Sequence, residues 1–143
     1  MHESMISTRP RTVGDLMAIE PIVIRSDASP SEAVGLMNEY RISGLPVVNH
    51  IGQLVGVISQ TDLVRARATE YLWANWPGLT VRHLMTSPPV TVRRSTPLTI
   101  AARRMERLRI HRLVVVADDD PGLPIGVLST SDLVRSLANE VAR

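Results

Sequence analysis

Two short runs of this chain carry the residue types that do chemistry. The first is Gly56-Val57-Ile58-Ser59-Gln60-Thr61-Asp62, and the second is Gly126-Val127-Leu128-Ser129-Thr130-Ser131-Asp132. Each reads Gly, two apolar residues, Ser, any residue, a hydroxyl residue, Asp, and Leu-Val-Arg follows both. The apolar pair is the end of a buried strand, and the Ser-x-hydroxyl-Asp cluster is a turn and helix cap. A helix start gathers backbone N–H groups and positive dipole, which suits a phosphate. A carboxylate accepts hydrogen bonds only, which suits a vicinal diol. An Asp in this position also stabilises a helix by itself, by about 0.3–1 kcal/mol. That account does not ask for a Ser three residues earlier in both copies.

Other chemistries lack their residues. The four histidines, His2, His50, His83 and His111, show no His-x-x-x-His spacing for a metal. There is no Gly-x-Ser-x-Gly elbow, phosphate-binding Walker loop or Gly-x-Gly-x-x-Gly. Asp118-Asp119-Asp120 runs into Pro121-Gly122 and reads as a solvated turn, not a metal site. With no Cys, disulfides, thiolate metal sites and Cys nucleophiles are excluded. No enzyme, no metal and no required cofactor is expected.

The 143 residues suit one compact domain or two small halves. No apolar run reaches membrane-spanning length, and the N-terminus lacks the pattern of a signal peptide, so a cytoplasmic protein without a membrane partner is expected. All 16 basic residues are Arg. Residues 1–80 carry 6 Arg against 8 acids, and residues 81–143 carry 10 Arg against 6 acids. The basic second half fits an anionic ligand or plain solubility. Nucleic acid is a weaker expectation, because aromatic content is only 3% and Arg103 and Arg107 fall on the solvent side of their helix.

In chain order, residues 1–11 read as a mobile tail. Thr12 to Asp15 form a capping box that opens one helical turn. Ile22-Val23-Ile24 is a strand, and Ser29-Pro30-Ser31-Glu32 caps a helix reaching Tyr40. Leu45 to Val48 and Leu54 to Ile58 form a hairpin around His50 to Gln53. A helix then starts at Asp62. The second half repeats this order. Val81, Pro89, Ala101, Met105 and Val115 match Val13, Pro21, Ala33, Met37 and Val47 at an offset of 68. The offset becomes 70 after Asp118-Asp119-Asp120, where the hairpin turn is longer. The chain is a duplicated β-α-β-β-α unit.

These motifs resemble a tandem pair of CBS (cystathionine-β-synthase) domains, a Bateman module. The resemblance rests on Val-x-x-Leu/Met-Met at 13–17 and 81–85, on Ile42 to Val48 and on the two Asp motifs. It covers residues 12–142 and leaves over no catalytic or DNA-binding domain, which points to a stand-alone module. It implies an α+β fold in which two pseudo-symmetric units, 12–75 and 81–143, flank a linker at 76–80.

The resemblance also implies an adenosine nucleotide (AMP, ADP, ATP or S-adenosylmethionine) bound in a cleft between the two units. Asp62 and Asp132 would take the ribose, with Ser59, Thr61, Ser129 and Ser131 facing ribose and phosphate. Ile22, Leu45 and Pro46, and likewise Val90, Leu113 and Val114, would wall the purine. His111-Arg112 is similar to His-Arg-Leu segments of the γ subunit of AMP-activated protein kinase and implies phosphate contact. Ser43-Gly44 stands at the equivalent place of the first half, so the halves should differ. A homodimer and a regulated partner protein complete the expectation. The alternatives are an interaction module with vestigial pockets and, third, a nucleic-acid binder.

Overall fold

The computed structural model describes residues 11–19 and 21–141. The expected tail, Arg11 apart, lies outside them. The expected order of strands and helices is present in both halves. The first has β2 (Ile24–Arg25), α2 (Pro30–Tyr40), β3 (Gly44–Val48), β4 (Leu54–Ser59) and α3 (Gln60–Ala68). The second has β5 (Thr91–Arg93), α6 (Leu98–Leu108), β6 (Arg112–Ala117), β7 (Asp120–Ser129) and α7 (Thr130–Val141). Each half is preceded by a single helical turn, α1 (Val13–Leu16) or α5 (Val81–Leu84), and α1 leads into a short strand, β1 (Ala18–Ile19). A further turn, α4 (Glu70–Ala74), ends the first repeat, and a 3-10 turn at Trp76–Gly78 lies in the stretch read as a linker.

Local signals set these boundaries. Ser29 Oγ accepts the Glu32 N–H at 3.1 Å, and Pro30 takes the first helical position of α2. The helix ends on Arg41, at φ 53°. Arg109, at φ 54°, closes α6 in the same way. In both, the next N–H reaches back to a methionine carbonyl, Ile42 to Met37 and Ile110 to Met105, each at 3.1 Å. That bond satisfies an end-of-helix acceptor and offsets the left-handed backbone. The expected first strand is shorter than Ile22–Ile24 suggested: its ladder with β3 holds only Ile24 with Val47 and Arg25 with Val48.

One sheet has the order β2-β3-β4 and the other β1-β7-β6-β5. In each, the first two strands of a repeat pair in parallel and the hairpin pairs antiparallel. Repeats in sequence and compact units in space do not coincide. One unit is residues 21–89; the other joins the segment before Pro21 to Val90 and everything after it. The reason is an exchange of opening turns. Val13 is fully buried among Val92, Ala101, Met105, Leu113, Val115 and Leu128. Val81 is fully buried among Ile24, Ala33, Met37, Leu45, Val47 and Ile58. Backbone bonds fix both turns alike. Val13 and Gly14 N–H donate to Thr96 and Arg94 carbonyls at 2.8 and 2.9 Å, and Val81 and Arg82 N–H donate to Ala28 and Ser26 at 2.9 and 3.0 Å.

The segment after each turn then lies against a hairpin strand. Ala18 faces Val127 and Ile19 faces Gly126, while Thr86 bridges Val57. This close approach explains the glycine that opens each motif. A Cβ on Gly56 would stand 2.6 Å from Met85 Sδ and 2.9 Å from the Thr86 carbonyl oxygen. A Cβ on Gly126 would stand 2.7 Å from Met17 Sδ and 2.7 Å from the Ala18 carbonyl oxygen. Because one obstacle in each case is backbone, repacking a side chain cannot relieve both clashes. Gly56→Ala and Gly126→Ala should each destabilise the protein by about 1–3 kcal/mol, measured by urea unfolding. An unchanged midpoint for either would show that the exchanged segment does not press on its glycine.

Candidate functional site

Both Asp motifs fold as strand end and helix start. Ser59 is the last residue of β4 and the N-cap of α3, with Asp62 as the third helical residue. The Asp62 N–H donates to Ser59 Oγ at 3.3 Å, and the Ser59 N–H donates to Asp62 Oδ2 at 2.8 Å. This reciprocal pair is a capping box. In the second motif the Asp132 N–H donates to Ser129 Oγ at 3.1 Å and the Ser129 N–H to Asp132 Oδ2 at 2.9 Å. The Ser three residues before each Asp therefore has a purely local reason, and its recurrence alone does not argue for a ligand. The helices start at Gln60 and Thr130, ahead of the aspartates.

The two carboxylates differ beyond the cap. Asp62 is 3% exposed. Its Oδ2 also accepts Ser59 Oγ–H at 3.0 Å, and its Oδ1 accepts Arg65 at 3.1 Å and Thr86 Oγ–H at 3.0 Å. Asp132 has a side chain 16% exposed, and its Oδ1 stands 3.5 Å from Arg135, which is an ion pair without a close hydrogen bond. Ala18 holds the place of Thr86 in that unit, since Ala18 faces Val127 as Thr86 faces Val57. The arginines belong to the Leu-Val-Arg that follows each motif, a signal visible in the sequence. Thr86 escaped sequence reasoning, because only the exchange of segments brings it to Asp62.

The neighbours of each Asp are set by strand register. Arg112 opens β6 directly across from Ser129, whereas Gly44 opens β3 across from Ser59. The unit holding Asp132 thus places a guanidinium-bearing residue at the mouth of its helix start, and the other unit has a glycine there. His111 is exposed, and its carbonyl accepts the Thr130 N–H at 2.9 Å and Thr130 Oγ–H at 3.1 Å. The Ser43 carbonyl likewise accepts the Gln60 N–H at 3.0 Å. Thr61 and Ser131 are exposed on the first turns of α3 and α7.

The expected apolar wall divides by strand alternation. Leu45 and Leu113 are fully buried within the two cores, so their side chains fill the units and do not front a ligand. Pro46 and Val114 point to the opposite sheet faces, where they are also buried but outside the two cores. Ile22 and Val90 are half-buried just ahead of the first strands, and the Val90 carbonyl accepts the Val114 N–H at 3.3 Å. The Asp118 carboxylate accepts the Ser95 N–H and Oγ–H at 3.2 and 3.1 Å, which gives the acidic turn a structural task. Arg104 donates to the Thr91 carbonyl at 2.7 Å and so ties α6 to β5.

Comparison with known proteins gives a consistent result. The family model for the CBS domain matches residues 13–69 and again 81–139. The crystal structure of CBSX2 from Arabidopsis thaliana in complex with AMP is 35% identical, covers 94% of this chain and 100% of that one, and superposes with a TM-score of 0.78. The CBS domain pair of protein MJ0100, in complex with 5′-methylthioadenosine and S-adenosyl-L-methionine, is 27% identical, covers 92% of this chain and 99% of that one, and has a TM-score of 0.80. A homoserine O-acetyltransferase of Methanocorpusculum labreanum is 34% identical over 87% of this chain, which spans only 24% of that protein.

The unequal bonding of the two aspartates predicts unequal stability effects. Asp62→Ala removes a cap together with the bonds from Ser59 Oγ–H, Thr86 and Arg65, for a loss of about 2–3 kcal/mol; Asp132→Ala loses little beyond its cap, about 1 kcal/mol. Chemical denaturation of the two variants checks the order. Equal losses would mean that the extra bonds of Asp62 contribute nothing.

Proposed function

The chain belongs to the CBS-domain family and carries two of these domains in tandem, and on that premise we propose that it is a regulatory module sensing an adenosine nucleotide. The observation that carries this reading is the arrangement around Asp132. A partly open carboxylate heads α7, and Arg112 stands across from the capping Ser129. The carboxylate suits the ribose diol, and the guanidinium suits a phosphate, which it can grip through two parallel N–H bonds. The complexes of CBSX2 with AMP and of protein MJ0100 with adenosyl compounds support the ligand class. Ser131, His111, Val114 and Val90 are its candidate lining in that unit, with Ser59, Thr61, Asp62, Gly44, Pro46 and Ile22 as the counterpart in the other unit. The module itself is not catalytic; it reports ligand occupancy to a partner protein by a population shift.

A second copy of the chain is part of the proposal. Val64 on α3 and Val134 and Leu137 on α7 are 68%, 58% and 55% exposed, which is unusual for aliphatic residues on helices that already bury another side. Sedimentation at micromolar concentration should give the mass of two chains, and Val64→Glu with Val134→Glu should shift it to one. A parent protein sedimenting as a single chain would remove the dimer from the proposal.

For the ligand, thermal unfolding with a panel of nucleotides should show a rise in midpoint, because a ligand that binds only the folded state stabilises it. Calorimetry should then show Arg112→Ala weakening AMP by roughly tenfold or more, as expected for a charge-assisted contact, with adenosine nearly unaffected. An equal loss for both ligands would assign Arg112 to the fold instead of to phosphate.

A further inference from the structure

We propose that Thr86 decides which of the two aspartates is available to ligand, by holding Asp62 in an internal hydrogen bond that Asp132 lacks. The inference rests on the adenosine reading above and names the residue that makes the two sites unequal. A carboxylate offers about four acceptor positions. Those of Asp62 are all taken: Ser59 N–H and Oγ–H on Oδ2, and Arg65 and Thr86 Oγ–H on Oδ1. A ribose diol brings two donors and would have to displace some of these. Arg65 is the easier to move, since its side chain is 62% exposed on a flexible stem. Thr86 is harder. Its N–H donates to the Val57 carbonyl at 2.8 Å, and its own carbonyl accepts the Val57 N–H at 3.0 Å, so the residue is fixed to β4 from both sides. A short, β-branched side chain on that backbone has little freedom to swing away.

The other unit supplies the comparison. Ala18 occupies the same place against Val127 and has no hydroxyl. Asp132 then keeps acceptor capacity on Oδ1, where among the described residues only Arg135, at 3.5 Å, faces it. The difference between Thr86 and Ala18 is one hydroxyl group at equivalent positions, so exchanging it in both directions is a direct test.

The experiment is isothermal titration calorimetry with AMP on the full chain. The parent should bind one AMP per chain, lost in Asp132→Ala. Thr86→Val keeps the shape and backbone pairing and removes the donor, and it should raise the stoichiometry to two, returning to one when Asp62→Ala is added. Ala18→Thr should weaken the parent site roughly tenfold, the cost of competing with one charge-assisted hydrogen bond. Ala18→Val, with the same bulk and no hydroxyl, should leave it within about twofold. A parent that binds AMP while Thr86→Val gains no second site overturns the role of Thr86 and leaves the adenosine reading standing. Equal weakening by Ala18→Thr and Ala18→Val also overturns it, since bulk alone would then explain the effect. No AMP binding by parent or by Thr86→Val defeats the adenosine reading itself. In that case thermal unfolding of Thr86→Val, Asp62→Ala and the double variant still decides the bond: a double loss smaller than the sum of the single losses supports it, and strict additivity overturns it.

Discussion

Four backbone hydrogen bonds hold the two opening turns in place, and much of the rest follows from them. Val13 and Gly14 donate into the loop after β5, and Val81 and Arg82 donate into the loop after β2. Each pair carries a valine into a core whose other members, Met17 and Leu84 of the exchanged segments apart, come from the opposite repeat. The valines are fully buried, so neither core is complete without the exchanged turn. The pairing also fixes where the next residues run. Met17-Ala18 and Met85-Thr86 are laid over a hairpin strand, and the strand must offer a glycine to receive them. The Gly that begins each Asp motif thus serves the fold, while the Asp that ends it is the group with chemistry to offer.

The same geometry separates two meanings of one motif. Ser and Asp three apart make a capping box, and both copies use it that way. A side chain engaged in a cap can still offer its remaining lone pairs to a ligand. What decides is the second oxygen. For Asp62 that oxygen is engaged by Thr86 and Arg65, and for Asp132 it faces Arg135 at 3.5 Å. Two copies of a motif that are indistinguishable on paper therefore differ in what they can accept.

Much of this was legible in the chain. The shift of offset from 68 to 70 located an insertion in the second hairpin, though not in its turn: Asp120, Pro121 and Gly122 lie in β7, so the added residues lengthen the strands and the turn between Ala117 and Asp120 is tight. Ser29-Pro30 with Glu32 placed the start of α2. Leu45 and Leu113 could not be told apart from their neighbours, because apolar residues in a short run look alike until strand alternation assigns faces. Arg41 and Arg109 at the helix ends gave no warning, since left-handed caps are usually read from glycine and neither is one. The exchange of turns was the largest element missed. Repeats are recognised by order along the chain, and nothing in a local pattern says which of two similar cores a valine will enter. Thr86 was hidden for the same reason.

The exchange makes one unit continuous in the chain, residues 21–89, and the other discontinuous. During synthesis the continuous unit has all of its core residues once the ribosome has released Val81 and Leu84. The discontinuous unit cannot close then, because Val13 must wait for Thr96 and for Leu113, Val115 and Leu128 beyond it. Its opening turn spends that interval without its core, while the continuous unit already has its own valine. Folding order is thus written into the connectivity: the unit with the internally bonded aspartate forms first, and the unit with the more open one forms after it.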